Sequence, residues 1–177
     1  VAAALLAAAP ALPALAGGGG QSITLTPANS IQAAVNSGLY TEIVLGPGVY
    51  NQVVDFTGDP VTLRSTDPDD PAVVAATVID GSNLGSSVLI FDDSEGNDTR
   101  IVGLTITGGE ALGAAPNDRG GAIRCLPGAP TIDRCVLEGN AASGFGGGVD
   151  LGDVEGGAPQ LLDLTIRDNV AGQGGGA

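Results

Sequence analysis

The stretch PTIDRCVLEGNAASGFGG, Pro130 to Gly147, is answered 29 residues later by PQLLDLTIRDNVAGQGGG, Pro159 to Gly176. Pro130, Ile132, Cys135, Leu137, Asn140, Gly146 and Gly147 recur as Pro159, Leu161, Leu164, Ile166, Asn169, Gly175 and Gly176. An earlier copy is visible in Ile101, Leu104 and Ile106, which precede Ile132, Cys135 and Leu137 by 31 residues. Its glycine pair, Gly120 and Gly121, precedes Gly146 and Gly147 by 26, so the first copy holds a loop five residues longer between Gly108 and Arg119. Self-similarity at such a period means that one unit cannot bury its own apolar face and must stack on its neighbours, the signature of a solenoid.

Working outward, the segments before the repeat are short β-rich runs ended by turn residues. Ile43–Leu45 meets Gly46-Pro47-Gly48, Val49–Phe56 meets Gly58-Asp59-Pro60, and Val61–Leu63 meets the acidic turn Asp67 to Pro71. Val73–Ile79, Val88–Phe91 and Ile101–Thr107 follow as further strands. Pro and Gly at these borders do not continue a strand, and no segment beyond residue 40 keeps helical period for ten residues. One helix is expected, after the strand Ser22–Thr26: Asn29-Ser30 offers an N-cap, Ile31, Ala34 and Val35 follow at helical spacing, and Gly38 ends it. Such a helix can cover the open end of a stack of strands.

Alternation places Leu104, Cys135 and Leu164 in one inward column and Ile106, Leu137 and Ile166 in another. Asn140 above Asn169 forms an amide ladder at a turn. At the same offset Arg134 meets Asp163 and Glu138 meets Arg167, which would put opposite charges above one another on the outer surface, where an ion pair adds little stability.

The net charge is −14, from 20 acidic residues against six arginines, with no Lys and no His. That balance excludes nucleic acid as a partner, since its binding rests on basic groups, and it repels anionic polysaccharide unless a divalent cation intervenes. High negative charge also keeps an exported protein dispersed. Residues 1–16 are almost wholly Ala, Leu and Pro and end in Ala14-Leu15-Ala16, a small-x-small pattern that reads as the remnant of a signal peptide; residues 17–21 then form a Gly-rich linker. That run is too short and too broken by Pro to span a bilayer, so no transmembrane segment is expected. The repeat domain is expected to fill residues 22–177 and to continue beyond Ala177, in a secreted or cell-surface protein.

Two cysteines, Cys125 and Cys135, cannot make a zinc site without His. They are either two packed thiols or, after export, a disulfide within one coil. The densest acidic segment is Asp92-Asp93-Ser94-Glu95-Gly96-Asn97-Asp98. Asp92, Asp93, Glu95 and Asp98 are the candidate ligands for calcium, a hard cation that takes oxygen donors, although their spacing matches neither an EF-hand nor a nonapeptide calcium repeat. Asn97-Asp98-Thr99 fits the N-glycosylation pattern.

After Gly20 the chain resembles the right-handed parallel β-helix proteins of the pectin-lyase-like fold. SIQAAVNSG, Ser30 to Gly38, and IVLGPGVY, Ile43 to Tyr50, look like the capping helix and first coil of that family. VTLRS at Val61, TVID at Thr77 and IVGLTITGG at Ile101 look like successive coils. GGAI, Gly120 to Ile123, is similar to the repeat of polymorphic outer-membrane proteins, whose companion Phe-x-x-Asn motif appears here as LEGN, Leu137 to Asn140, and IRDN, Ile166 to Asn169, with the aromatic residue replaced. The resemblance implies an all-β right-handed parallel β-helix of roughly six coils after a capping helix, and leaves its role open, because fold does not imply function.

The reading preferred is a structural, adhesive or carbohydrate-binding surface protein, meeting a polysaccharide or a cell-surface partner. The alternative is a calcium-dependent polysaccharide lyase with its active site mostly outside these residues. Hydrolysis needs paired carboxylates, for which Asp92-Asp93 is the one doublet near a strand end, and the family's polygalacturonase branch needs a His this chain lacks. A lyase needs Arg or Lys as base, and only Arg64, Arg100, Arg119, Arg124, Arg134 and Arg167 are present. No catalytic residue is assigned.

Overall fold

The computed structural model describes residues 20–93, 95–152 and 157–173. The expected signal remnant, residues 17–19 of the linker, Ser94 of the acidic segment and the glycine pair Gly175-Gly176 lie outside the described residues.

The chain is predominantly β, and every strand pairing is parallel. After β1 (Gln21–Leu25) and the helix α1 (Ile31–Asn36) come β2 (Tyr40–Leu45), β3 (Gly48–Tyr50), β4 (Val54–Phe56) and β5 (Thr62–Ser65). A second helix, α2 (Pro71–Ala76), precedes β6 (Thr77–Asp80), β7 (Leu89–Phe91), β8 (Arg100–Val102), β9 (Thr105–Thr107), β10 (Glu110–Ala111) and β11 (Ile123–Cys125). The repeat then supplies β12 (Thr131–Asp133), β13 (Val136–Glu138), β14 (Ala141–Phe145), β15 (Val149–Asp150), β16 (Gln160–Leu162), β17 (Thr165–Arg167) and β18 (Val170–Gln173).

These strands form four sheets: sheet A in the order β1-β2-β5-β8-β12-β16, sheet B β3-β6-β9-β13-β17, sheet C β4-β7-β11-β15 and sheet D β10-β14-β18. Each pass of the chain from β2 to β15 therefore lays one strand in A, the next in B and a later one in C, and sheet D enters where the passes lengthen. The register within a sheet is uniform from β5 onward: Leu63, Ile101, Ile132 and Leu161 lie side by side in A, and Ile79, Ile106, Leu137 and Ile166 in B.

The inward residues of all four sheets make one core. Phe56 and Phe91, paired in register in sheet C, stack with ring centroids 4.5 Å apart and planes within 5°, and each fully buried aromatic or branched side chain contributes about 1.5–3 kcal/mol relative to exposure. Tyr50 is fully buried; its hydroxyl reaches the carbonyls of Leu25 and Gly46, both at 2.9 Å, and burial pushes its pKa up to about 12. Helix α1 is capped by Ser30, whose hydroxyl accepts from Ala33 N, and its buried Ile31, Ala34 and Val35 face β2 and β4. Gln52 ties it down by accepting from Ile31 N and donating to Asn29 O, each at 2.8 Å.

Three expected strands differ. Val49–Phe56 is two strands, β3 and β4, and Ile101–Thr107 is β8 and β9, because the chain turns a corner inside each run. At the second corner Gly103 takes φ +61° and Leu104 still points inward, fully buried, so the alternation of apolar residues passes through the bend. Val73–Ile79 is α2 followed by β6. Asp70 accepts from Ala72 N at 2.8 Å as N-cap and Pro71 supplies the preset φ of the first turn, which together outweigh the β-propensity of Val73 and Val74. Among the described residues no helix is long and apolar enough to cross a membrane.

Candidate functional site

The corner between sheets A and B repeats a left-handed backbone at Gly103, Arg134 and Asp163, with φ +61°, +53° and +48°. Over this corner lies the insertion of residues 67–76, which leaves sheet A after β5. Pro68 covers Gly103, where a Cβ would come within 2.5 Å of it, and the Val74 carbonyl accepts from Thr105 Oγ1 at 3.0 Å. The insertion thus packs on the outer face of β9. The next two passes run past it and leave a groove of about 260 Å³.

Pro68, Pro71 and Val74 form the wall contributed by the insertion, and Val136 and Thr165 form the floor on the outer face of β13 and β17. The charged lining is Asp69, Arg134 and Asp163. Arg134 is held on two sides: it pairs with Asp69, 65 positions back in the chain, and with Asp133 at 2.9 Å. Those carboxylates hold the guanidinium firmly in its charged form, the Asp133 hydrogen bond leading. Arg100 approaches the same Asp133 at 3.7 Å. No aromatic ring lines the groove.

Of the expected outer pairs, Glu138 and Arg167 form an ion pair. Arg134 turns to Asp69 and Asp133 instead of Asp163, because the insertion brings Asp69 to the corner from which the Arg134 side chain leaves. The inward columns run as spaced: Leu104, Cys135 and Leu137 are buried and Leu164 and Ile166 pack partly buried on the same core. Asn140 and Asn169 lie one above the other and are hydrogen-bonded.

The four acidic residues of the 92–98 segment are divided rather than gathered. Asp92 points outward to Arg124 at 3.0 Å. Glu95 points inward, 1 % exposed, and its two carboxylate oxygens accept from Gly58 N at 3.1 Å and Asp93 N at 3.3 Å. Asp98 belongs to the turn closed by Thr99 N on Gly96 O at 3.0 Å. Among the described residues no three acidic, His or Cys side chains stand where they could hold a metal ion. Asn97 is engaged as well: its Nδ2 donates to Ala129 O at 2.7 Å and Ala158 O at 3.1 Å, and its carbonyl accepts from Thr131 Oγ1 at 2.8 Å, so its amide clamps neighbouring passes together.

On the outer face of sheet C, Arg124 bonds Asn117 at 2.7 Å and Asp92 at 3.0 Å with its side chain only 8 % exposed. The 112–119 loop, the insertion in the first repeat copy, provides Asn117, Asp118 and Arg119 here; Arg119 lies 5.0 Å from the centre of the Phe145 ring. Burial raises the pKa of Asp150 in this cluster and, nearby, that of Asp55, which Asp92 and Asp93 raise further. Both cysteines are free and buried, and burial pushes the Cys135 thiol up to about 12 and Cys125 higher still. A thiol so placed is packing, not a nucleophile.

Sequence reasoning did not find the groove, because its decisive contact joins residues 65 apart across an insertion that is not repeated. Asp70-Pro71 was the available signal, an N-cap followed by Pro, which marks a helix start.

Compared with protein-family models, with curated proteins and with solved structures, the chain matches none.

Proposed function

We propose that the stacked passes are a right-handed parallel β-helix of the pectin-lyase-like type, with α1 covering its first pass, and that it serves as an exported scaffold with an adhesive or structural role, contacting its partner through the groove beside the 67–76 insertion. The right-handed turn is the rule for parallel strands joined by crossovers. The observation that carries the reading is the insertion itself: a non-repeated segment, clamped by Thr105 and Arg134, builds a concave site beside the outer face of β13 and β17. Proteins of regular architecture carry binding on such departures from the repeat.

The six arginines support this reading over a lyase, because each stands in an ion pair with a carboxylate and an eliminating base must be free to take a proton. The test is a binding screen of the chain against neutral, acidic and amino-containing glycans and against polypeptides, run beside an elimination assay on polygalacturonate and alginate with and without Ca²⁺. Saturable binding without turnover, lost when the groove is altered, is the expected result. Calcium-dependent release of unsaturated uronates would replace the scaffold with a polysaccharide lyase.

A further inference from the structure

We propose that the groove receives the basic side chain, Lys or Arg, of a partner polypeptide, with its methylene stem laid on Pro71, Val74 and Val136 and its cationic head on Asp163, beside the paired Asp69 and Arg134. This rests on the groove being the point of contact.

The lining decides the ligand class. Lys and Arg are amphipathic along their length and bury an aliphatic stem while keeping a charged head at a polar edge, and the groove has that order, an apolar wall and floor ending in Asp163 and the paired Asp69 and Arg134. A pyranose needs hydrogen-bond partners around its ring or an aromatic face to stack on. Here the lining holds no aromatic residue, and Thr165 supplies its one hydroxyl.

Charge points the same way. The charged lining is Asp69, Asp163 and Arg134; Arg134 is paired with Asp69 and with Asp133, which Arg100 also approaches, so Asp163 is the lining carboxylate left over from these pairs. The excess is negative, within a chain of net charge −14, so a cation is steered toward it and an anionic polysaccharide is repelled. A second copy of this chain does not fit the role. It has no lysine, and all six of its arginines are engaged in ion pairs.

The probe is the acetylated tripeptide amide Gly-Lys-Gly, with its norleucine counterpart and a chitosan oligomer as comparisons, titrated into ¹⁵N-labelled protein at low salt. The lysine peptide should shift the amide resonances of Val74, Val136 and Thr165 saturably and the norleucine peptide should not. Asp163→Asn, an exposed change, should weaken the lysine peptide about threefold, the scale of one exposed charge pair. Asp59→Asn, with the same change in net charge between β4 and β5 and outside the groove lining, should leave it unchanged. Equal binding of the norleucine peptide, or equal weakening by both variants, overturns the proposal. If chitosan shifts these amides and the lysine peptide does not, the groove remains a contact site but for an amino sugar. If no probe or glycan shifts them, the groove as contact site falls as well.

Discussion

Asn140 donates from Nδ2 to Asn169 Oδ1 at 2.9 Å, and the backbone N–H of Asn140 donates to the same oxygen at 3.0 Å, so one residue of each repeat reads the next through a single amide. Asn140 is 1 % exposed, and its own Oδ1 accepts from Gly109 N at 2.9 Å, one pass earlier. Replacing it by Ala takes the side-chain partner from the Gly109 N–H and from the Ile106 and Glu138 carbonyls, backbone groups of two passes, and loosens the link to Asn169 in a third. We expect a loss of about 3 kcal/mol in urea unfolding, since each orphaned buried group costs about 1–3 kcal/mol. Asn140→Asp should be no better, because a carboxylate cannot donate to the Ile106 carbonyl that Nδ2 now serves at 3.1 Å. A loss under about 1 kcal/mol for either variant would show the ladder to be ornamental.

Glu95 makes stability depend on pH. Burial raises its pKa above the unfolded value, outweighing the Gly58 and Asp93 N–H bonds that favour the ionised form. The native state therefore holds this proton more tightly, so the contribution is fully present below the ordinary carboxylate range and fades as pH rises through the raised value. Glu95→Gln removes the titration. The advantage of the parent chain over the variant, measured as urea midpoints from pH 4 to 7, should grow toward acid. A flat difference would mean that Glu95 titrates as an exposed carboxylate does.

Gly85 and Gly103 share a left-handed backbone, φ +68° and +61°, and differ in what surrounds them. A Cβ at Gly85 meets nothing within 4 Å, whereas at Gly103 it comes within 2.5 Å of Pro68 backbone and side chain. Gly85→Ala should cost only the backbone term of about 1–2 kcal/mol. Gly103→Ala should cost clearly more, because it lifts the insertion off its corner. Equal thermal shifts in the two variants would show that the insertion is not seated as described.

Cys125 and Cys135 should both resist a thiol reagent at pH 8 in the folded protein and both react in denaturant, each counted by mass. Their burial and raised pKa values keep the thiolate fraction minimal. Loss of two mass units without reagent, reversed by reductant, would indicate a disulfide and overturn the free-thiol arrangement.

The parallel β architecture was legible because it is written redundantly. Columns such as Ile106, Leu137 and Ile166 repeat the same inward position at a near-constant period, and the asparagines and glycines of the turns recur with them. Two corners were hidden for the same reason: Leu104 keeps the inward phase across the bend at Gly103, so alternation alone does not mark the break. The site belongs to a different kind of information. Asp69 and Arg134 occur once each and meet only because a six-residue helix replaces an expected strand. The acidic 92–98 segment shows the converse, since density of carboxylates in sequence says nothing of direction, and Asp92 and Glu95 point to opposite sides of the wall.

That helix should be the least stable part of the groove, and its N-cap is the lever. Asp70 accepts from Ala72 N at 2.8 Å, α2 has only six residues, and Val74 is its one buried side chain. So short a helix has little of its own stability and depends on the cap and on packing. Asp70→Ala should cost about 0.5–2 kcal/mol. The loss should be local: amide exchange should quicken at Val73 and Val74, whose N–H groups bond the Asp70 carbonyl at 3.0 Å, while β8, β12 and β13 keep their protection. Because Cys135 lies against the groove and Cys125 does not, fraying of α2 should also raise the labelling rate of Cys135 relative to Cys125. Were exchange to quicken throughout the stack instead, the insertion would be part of the cooperative core and not a separately stable wall of the groove.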